Sequence, residues 1–219
     1  DARGALIRKQ QHLLCLKDLE RADWLEQMAD AGVRSFKIEG RLKDQAYVKN
    51  VTAYYRRRLD ELLERRPEYA QASLGQVSLN FEPDPAKSFQ RGATAYGLNG
   101  QFDDIVAASP KSTGEFIGTV TRSRQNWFNL ISPERKLRRI NPGDGLCFFD
   151  EQGELKGIQV LKTDEGRIYG RFSLSGLKPG MRIYRNRDQR FLKQLEGQTA
   201  ERRIPISLVF GETPRGFSL

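Results

Sequence analysis

The chain has 219 residues, enough for one large domain or two small ones, and combines 38% hydrophobic with 30% charged residues, a rather polar, globular balance. No apolar run approaches the roughly 20 residues that a membrane-spanning helix needs, so this sequence contains none. The formal net charge of +9 favours acidic partners, nucleic acid first, through counterion release at phosphates.

The chain opens at Asp1 with no secretory signal, and the expected location is cytoplasmic. Its two cysteines, Cys15 and Cys147, lie far apart in predicted strands, which reads as two free thiols rather than a disulfide scaffold. No metal-ligand spacing occurs.

Residues 11–66 read as two successive β–α units. His12–Leu16 is a short apolar strand, Asp18 offers a helix cap, and Leu25, Met28 and Ala31 follow at helical spacing until Gly32. Val33–Ile38 reads as a buried strand that runs into Lys37, Glu39 and Arg41. Extended backbone puts Val33, Ser35, Lys37 and Glu39 on one side, Phe36 and Ile38 on the other. Charges at the carboxyl end of a strand in a parallel α/β fold sit where ligands bind; the alternative is a strand end capped by solvated charges. A long helix from about Asp44 to Arg66, stopped by Pro67, carries Val48, Val51, Tyr55, Leu59 and Leu62 as one core stripe, with Arg57 and Glu61 one turn apart.

Residues 71–113 form a polar connector rich in Gly and Pro, with Val77–Phe81 as a possible strand. From residue 114 the pattern changes to short strands at regular spacing: Phe116–Arg122, Trp127–Ile131, Gly145–Asp150, Ile158–Lys162, Arg167–Phe172 and Met181–Arg185. Turn signals at 141–144, 150–153, 164–166 and 178–180 separate them. This spacing predicts a small closed or partly closed β-barrel. Ile117–Val120, Pro142–Gly145 and Leu177–Met181 resemble the barrel of translation-factor second domains. Ile204–Phe210, a Gly-rich turn and Phe217–Leu219 read as a hairpin cut off in its second strand, so an excised fragment is expected.

A self-contained protease is disfavoured. His12 is the single histidine, and its separation from Cys15 puts the two side chains on opposite faces of one strand. No His-Glu-x-x-His helix or Gly-x-Ser-x-Gly elbow occurs. RNA binding has more support: Arg122, Arg124, Arg135, Lys136, Arg138 and Arg139 surround Trp127 and Phe128, a mix of phosphate-binding forks and stacking faces. Barrel cores also need large residues, so the two aromatics are equally readable as core. A second basic stretch, Arg182, Arg185, Arg187, Arg190 and Lys193, reads as a solvated edge.

Several stretches, in order, resemble peptidase family U32, the collagenase-like proteins. They are Leu16–Leu19, Ala31–Asp44, Tyr47–Arg56, and then Lys87–Gly92, Gly143–Phe148 and Tyr184–Asp188, the last three being similar to the collagenase-associated domain of longer members. That branch is linked to hydroxylation of a cytidine in large-subunit ribosomal RNA. The resemblance implies an α+β fragment: terminal β/α units of a (β/α) barrel in residues 1–70, then a mostly antiparallel small β-barrel in residues 114–219. It implies that Lys17 and Asp18 join Lys37, Glu39 and Arg41 at the barrel mouth, with Lys37, Arg41 and Lys17 holding the carboxylates of a prephenate donor and Glu39 as acid/base. Relatives carry further cysteines for an iron–sulfur cluster, and many place one after the Lys-Asp-Leu motif, where this chain has Glu20; Cys15 is the candidate substitute ligand. The rival readings are a collagenase-like peptidase acting on protein, with catalytic residues outside this segment, and a non-enzymatic binding module.

Overall fold

The computed structural model describes residues 3–5, 12, 14–98, 100, 109–132, 139–171 and 174–219. The first half contains strand β1 (Asp18–Leu19), helix α1 (Leu25–Asp30), helix α2 (Gln45–Arg65), and strands β2 (Gln76–Leu79) and β3 (Ala93–Thr94). Helix α2 begins where the sequence places it, because the Asp44 carboxylate accepts the Tyr47 amide at 2.8 Å and satisfies a free N–H of the first turn. Of its predicted stripe Val51 and Leu62 are buried, Tyr55 and Leu59 half-buried and Val48 exposed, while Ala53, outside that stripe, is buried too; the predicted Arg57–Glu61 pair forms at 3.3 Å. Arg66, just past the helix end, binds Glu26 at 2.5 Å and Asp30 at 2.8 Å and so fastens α1 to α2.

The two β–α units are not formed as read. Residues 33–40 belong to no strand: Val33 and Ile38 are more than a third exposed, and no described strand pairs with them. A strand exists only through its ladder, so apolar alternation without a partner stays an extended segment. The described residues of the stretch 12–16 form no strand beyond a single bridge at Leu16, and the Cys15 amide turns back to the His12 carbonyl at 2.9 Å. Asp18 lies in β1 and caps no helix; β1 instead pairs in parallel with β3, from the stretch read as connector.

The second half is built around a closed antiparallel barrel. Its strands are β4 (Glu115–Ser123), β5 (Trp127–Ile131), β6 (Gly145–Phe149), β7 (Leu155–Asp164), β8 (Arg167–Gly170) and β9 (Arg182–Arg187), in the order β4-β5-β8-β7-β6-β9. All six predicted strands are present within a few residues. Ile117, Val120, Phe128, Leu146, Ile168 and Ile183 fill its interior at 2% exposure or less. The tight β7–β8 connection works because Glu165 and Gly166 both take positive φ, the twist a two-residue hairpin needs.

Helix α3 (Gln189–Glu196) follows β9, capped by Asp188, whose carboxylate accepts the Phe191 amide at 3.0 Å. Its Phe191 and Leu195 pack with Ala53 of α2 and Phe81, joining the two halves. Strand β10 (Ala200–Arg203) pairs antiparallel with β2. The terminal hairpin is shorter than read and shifted: β11 (Gly211–Thr213) pairs with β12 (Gly216–Ser218), and residues 204–210 belong to no strand.

Candidate functional site

Three charged places compete for attention, and each is built differently. The first lies where β1, β3 and the start of α2 meet. The Arg91 side chain grips Asp18 at 2.9 Å, the Arg91 backbone amide donates to the same carboxylate at 2.7 Å, and a second guanidinium nitrogen reaches the Cys15 sulfur at 3.4 Å. These hydrogen bonds to Asp18 hold Arg91 more firmly protonated than usual. Lys43 lies beside them with its ammonium 3.2 Å from the centre of the Phe89 ring; burial there lowers its pKa, against a smaller opposing pull from Asp18. Burial also raises the pKa of Tyr47, on the first turn of α2. The Lys17 side chain runs past Gly92. Arg91, Lys43 and Phe89 were not picked out as site residues in the sequence, although Lys43 lies in Ala31–Asp44 and Phe89 and Arg91 in Lys87–Gly92, stretches that carried the resemblance.

The second place is the run after Val33. Lys37 and Glu39 pair at 2.9 Å with 85% and 74% of their side chains exposed, and this hydrogen bond raises the pKa of Lys37. Arg41 is exposed as well. Asp18 is bound to Arg91, and Lys37 to Glu39.

The third place is the barrel. Arg122, Arg124 and Arg139 are exposed, whereas Arg135, Lys136 and Arg138 lie outside the described residues. Trp127 is half-buried on the outer wall, but Phe128 is fully buried in the core, where no base can reach it. Its role is packing. Arg185, read as part of a solvated edge, is 4% exposed at the barrel end. It contacts Glu115, Asp188 at 3.1 Å and Asp144 at 3.4 Å, and donates to the Arg139 carbonyl at 3.0 Å. Asp144 is itself fully buried, accepting the amides of Asn141 at 2.9 Å and Gln189 at 2.8 Å. This constellation therefore ties turn, barrel and helix together. Asp188 is three residues away, but Glu115 and Asp144 come from 70 and 41 residues away, a distance that local reading does not bridge.

Residues 1–104 match the model of "Peptidase family U32". Over 220 aligned residues the chain is 36% identical to the 23S rRNA 5-hydroxycytidine synthase of Escherichia coli (strain K12), covering 96% of this chain and 33% of that protein. These first 104 residues therefore resemble peptidase family U32. A tRNA hydroxylation protein of Bacillus subtilis (strain 168) is 43% identical over 58 residues, 26% of this chain and 19% of its own. A collagenase of Porphyromonas gingivalis is 25% identical over 199 residues, 90% of this chain and 46% of its own. The chain thus spans about a third of the length of the rRNA synthase it matches. No solved structure matches it significantly.

The U32 resemblance implies an iron–sulfur cluster, and the described residues do not make a site for one. No group of three or more His, Cys, Asp or Glu side chains converges among them. Cys15 is half-buried beside Arg91, while Cys147 is sealed in the barrel, where burial pushes its thiol up to about 12. This segment offers one accessible thiol.

Proposed function

We propose that this chain is part of an enzyme that hydroxylates a cytidine in large-subunit ribosomal RNA. The observation that carries this reading is the 36% identity to a 23S rRNA 5-hydroxycytidine synthase, sustained over 96% of the chain and therefore through the β-barrel as well as the U32 segment. The net charge of +9 and the exposed Arg122, Arg124 and Arg139 on the barrel suit an RNA substrate.

In this reading the first 70 residues derive from a (β/α) barrel, and Lys37, Glu39 and Arg41 act once the rest of that barrel surrounds them. Arg41 and Lys37 are the carboxylate-binding cations for a small acid donor such as prephenate, and Glu39 is the acid/base. Lys17 flanks them. Asp18 is a positioning residue, since its carboxylate is engaged by Arg91 through side chain and backbone. A cytoplasmic location follows from a ribosomal RNA substrate. A peptidase reading has less behind it: the match to a collagenase is 25% identical, and His12 is exposed while the Cys15 sulfur is bound by Arg91.

The test is mass spectrometry of ribosomal RNA from cells with and without the intact gene. Loss of a hydroxylated cytidine that returns on complementation supports the proposal; unchanged RNA overturns it.

A further inference from the structure

The outer wall formed by β5, β8 and β7 carries two aromatic rings that the core does not use. Alternation along β5 sends Phe128 inward and Trp127 outward. Trp127 is the register partner of Tyr169 on β8, and Tyr169 is the partner of Lys162 on β7. Directly paired residues point to the same face of a sheet, so Trp127, Tyr169 and Lys162 form one row across three strands. Arg167, two residues before Tyr169, shares that face.

Cations already sit on both rings. The Arg167 guanidinium lies 5.1 Å from the centre of Trp127, and the Lys162 ammonium lies 4.7 Å from the centre of Tyr169. Both rings are half-buried, and the groups over them, Arg167 and Lys162, are exposed side chains rather than core packing. Exposed Arg124, whose amide is bound to the Trp127 carbonyl at 2.8 Å, and exposed Arg122 lie along the same edge. Two carboxylates lie beside the row, Asp164 at the end of β7 as the register partner of Arg167 and Glu165 in the β7–β8 turn, against four cations around it.

We propose that this row is a stacking platform for unpaired RNA, in which Trp127 and Tyr169 take up bases while Arg167 and Lys162 hold the neighbouring phosphates. Flat rings flanked by cations suit unpaired bases on a charged backbone, whereas a duplex keeps its base faces stacked and out of reach. The proposal rests on the RNA reading above and adds to it the surface that grips the strand and the single-stranded form of the substrate.

The test uses the full 219-residue chain carrying Trp24→Phe, which leaves Trp127 as the single tryptophan of the two. Its fluorescence is followed while a 12-nucleotide oligouridylate or a 12-base-pair RNA duplex is added. Quenching by the single strand and not by the duplex is expected. Trp127→Leu with Tyr169→Leu should weaken binding about tenfold or more, measured by anisotropy of labelled oligouridylate, while Tyr169→Phe should preserve it. Arg167→Gln with Lys162→Gln should lower the slope of log affinity against log salt by about 1.4, roughly 0.7 for each phosphate contact. Absence of binding, binding without quenching, or equal affinity in the leucine variant overturns the platform. The quench is read on intact rings, so it decides even if the leucine variant does not fold. Binding requires no hydroxylation. Quenching with unchanged ribosomal RNA in the gene deletion keeps the platform and sinks the enzymatic reading; the reverse result sinks the platform alone.

Discussion

The end of the barrel and the run after Val33 hold their charges under opposite conditions. Around Arg185 a guanidinium at 4% exposure meets Glu115, Asp144 and Asp188, all buried. In the run, Lys37 and Glu39 form an equally direct pair with most of both side chains in water. A buried charge that loses its partners is left without solvent, whereas an exposed pair exchanges its partner for water at almost no cost. Residues of the first kind report on folding when changed. Residues of the second kind are free to report on chemistry.

The largest effect expected from breaking this contrast is at Arg185. Arg185→Met should destabilise the chain by about 3–5 kcal/mol, since it strands three buried carboxylates, and lower the melting temperature by about 10 °C. A loss below 1 kcal/mol would mean that the cluster is hydrated and the contrast is false. Gly114→Ala should follow at about 3 kcal/mol in a denaturant titration. Gly114 has φ +68, and an added Cβ would stand 2.1 Å from the Arg185 carbonyl oxygen.

A pH titration sharpens the same comparison. Burial holds the Cys147 thiol protonated up to about 12, from an ordinary value of 9.0. Above pH 9 the unfolded chain therefore binds fewer protons at this site than the folded one. Stability should fall as pH rises from 9 toward 12, and Cys147→Ala should remove that part of the slope. In the native state at pH 8, a thiol reagent should modify Cys15 well before Cys147. The smallest effect is predicted for the exposed pair: Lys37→Ala or Glu39→Gln should leave unfolding free energy within about 0.5 kcal/mol of wild type.

The same physics decides what could be read from the sequence. Each barrel strand carries its own signals, an alternation of period two and turn residues such as Asp164-Glu-Gly166 at its ends, and all six were legible. Val33–Ile38 has equally good alternation but no described strand beside it, so the pattern alone misled. Helix α3 was readable and missed: Asp188 as cap, Phe191 and Leu195 one turn apart, and Gly197 at the end are local helix signals. The Arg185 contacts to Glu115 and Asp144 and the Arg91–Asp18 grip were not legible, because these partners are 41 to 73 residues apart. Trp127 was named from the sequence, but adjacency paired it with Phe128; Tyr169 as its neighbour became visible once strand register was known.

The most direct test of the account is complementation of the gene deletion with the intact protein carrying Arg41→Ala, reading hydroxylated cytidine in ribosomal RNA and thermal stability of the purified variant together. The account predicts a wild-type melting temperature with the modified cytidine lost. Full modification by a stable Arg41→Ala protein would contradict the assignment of the exposed run to chemistry.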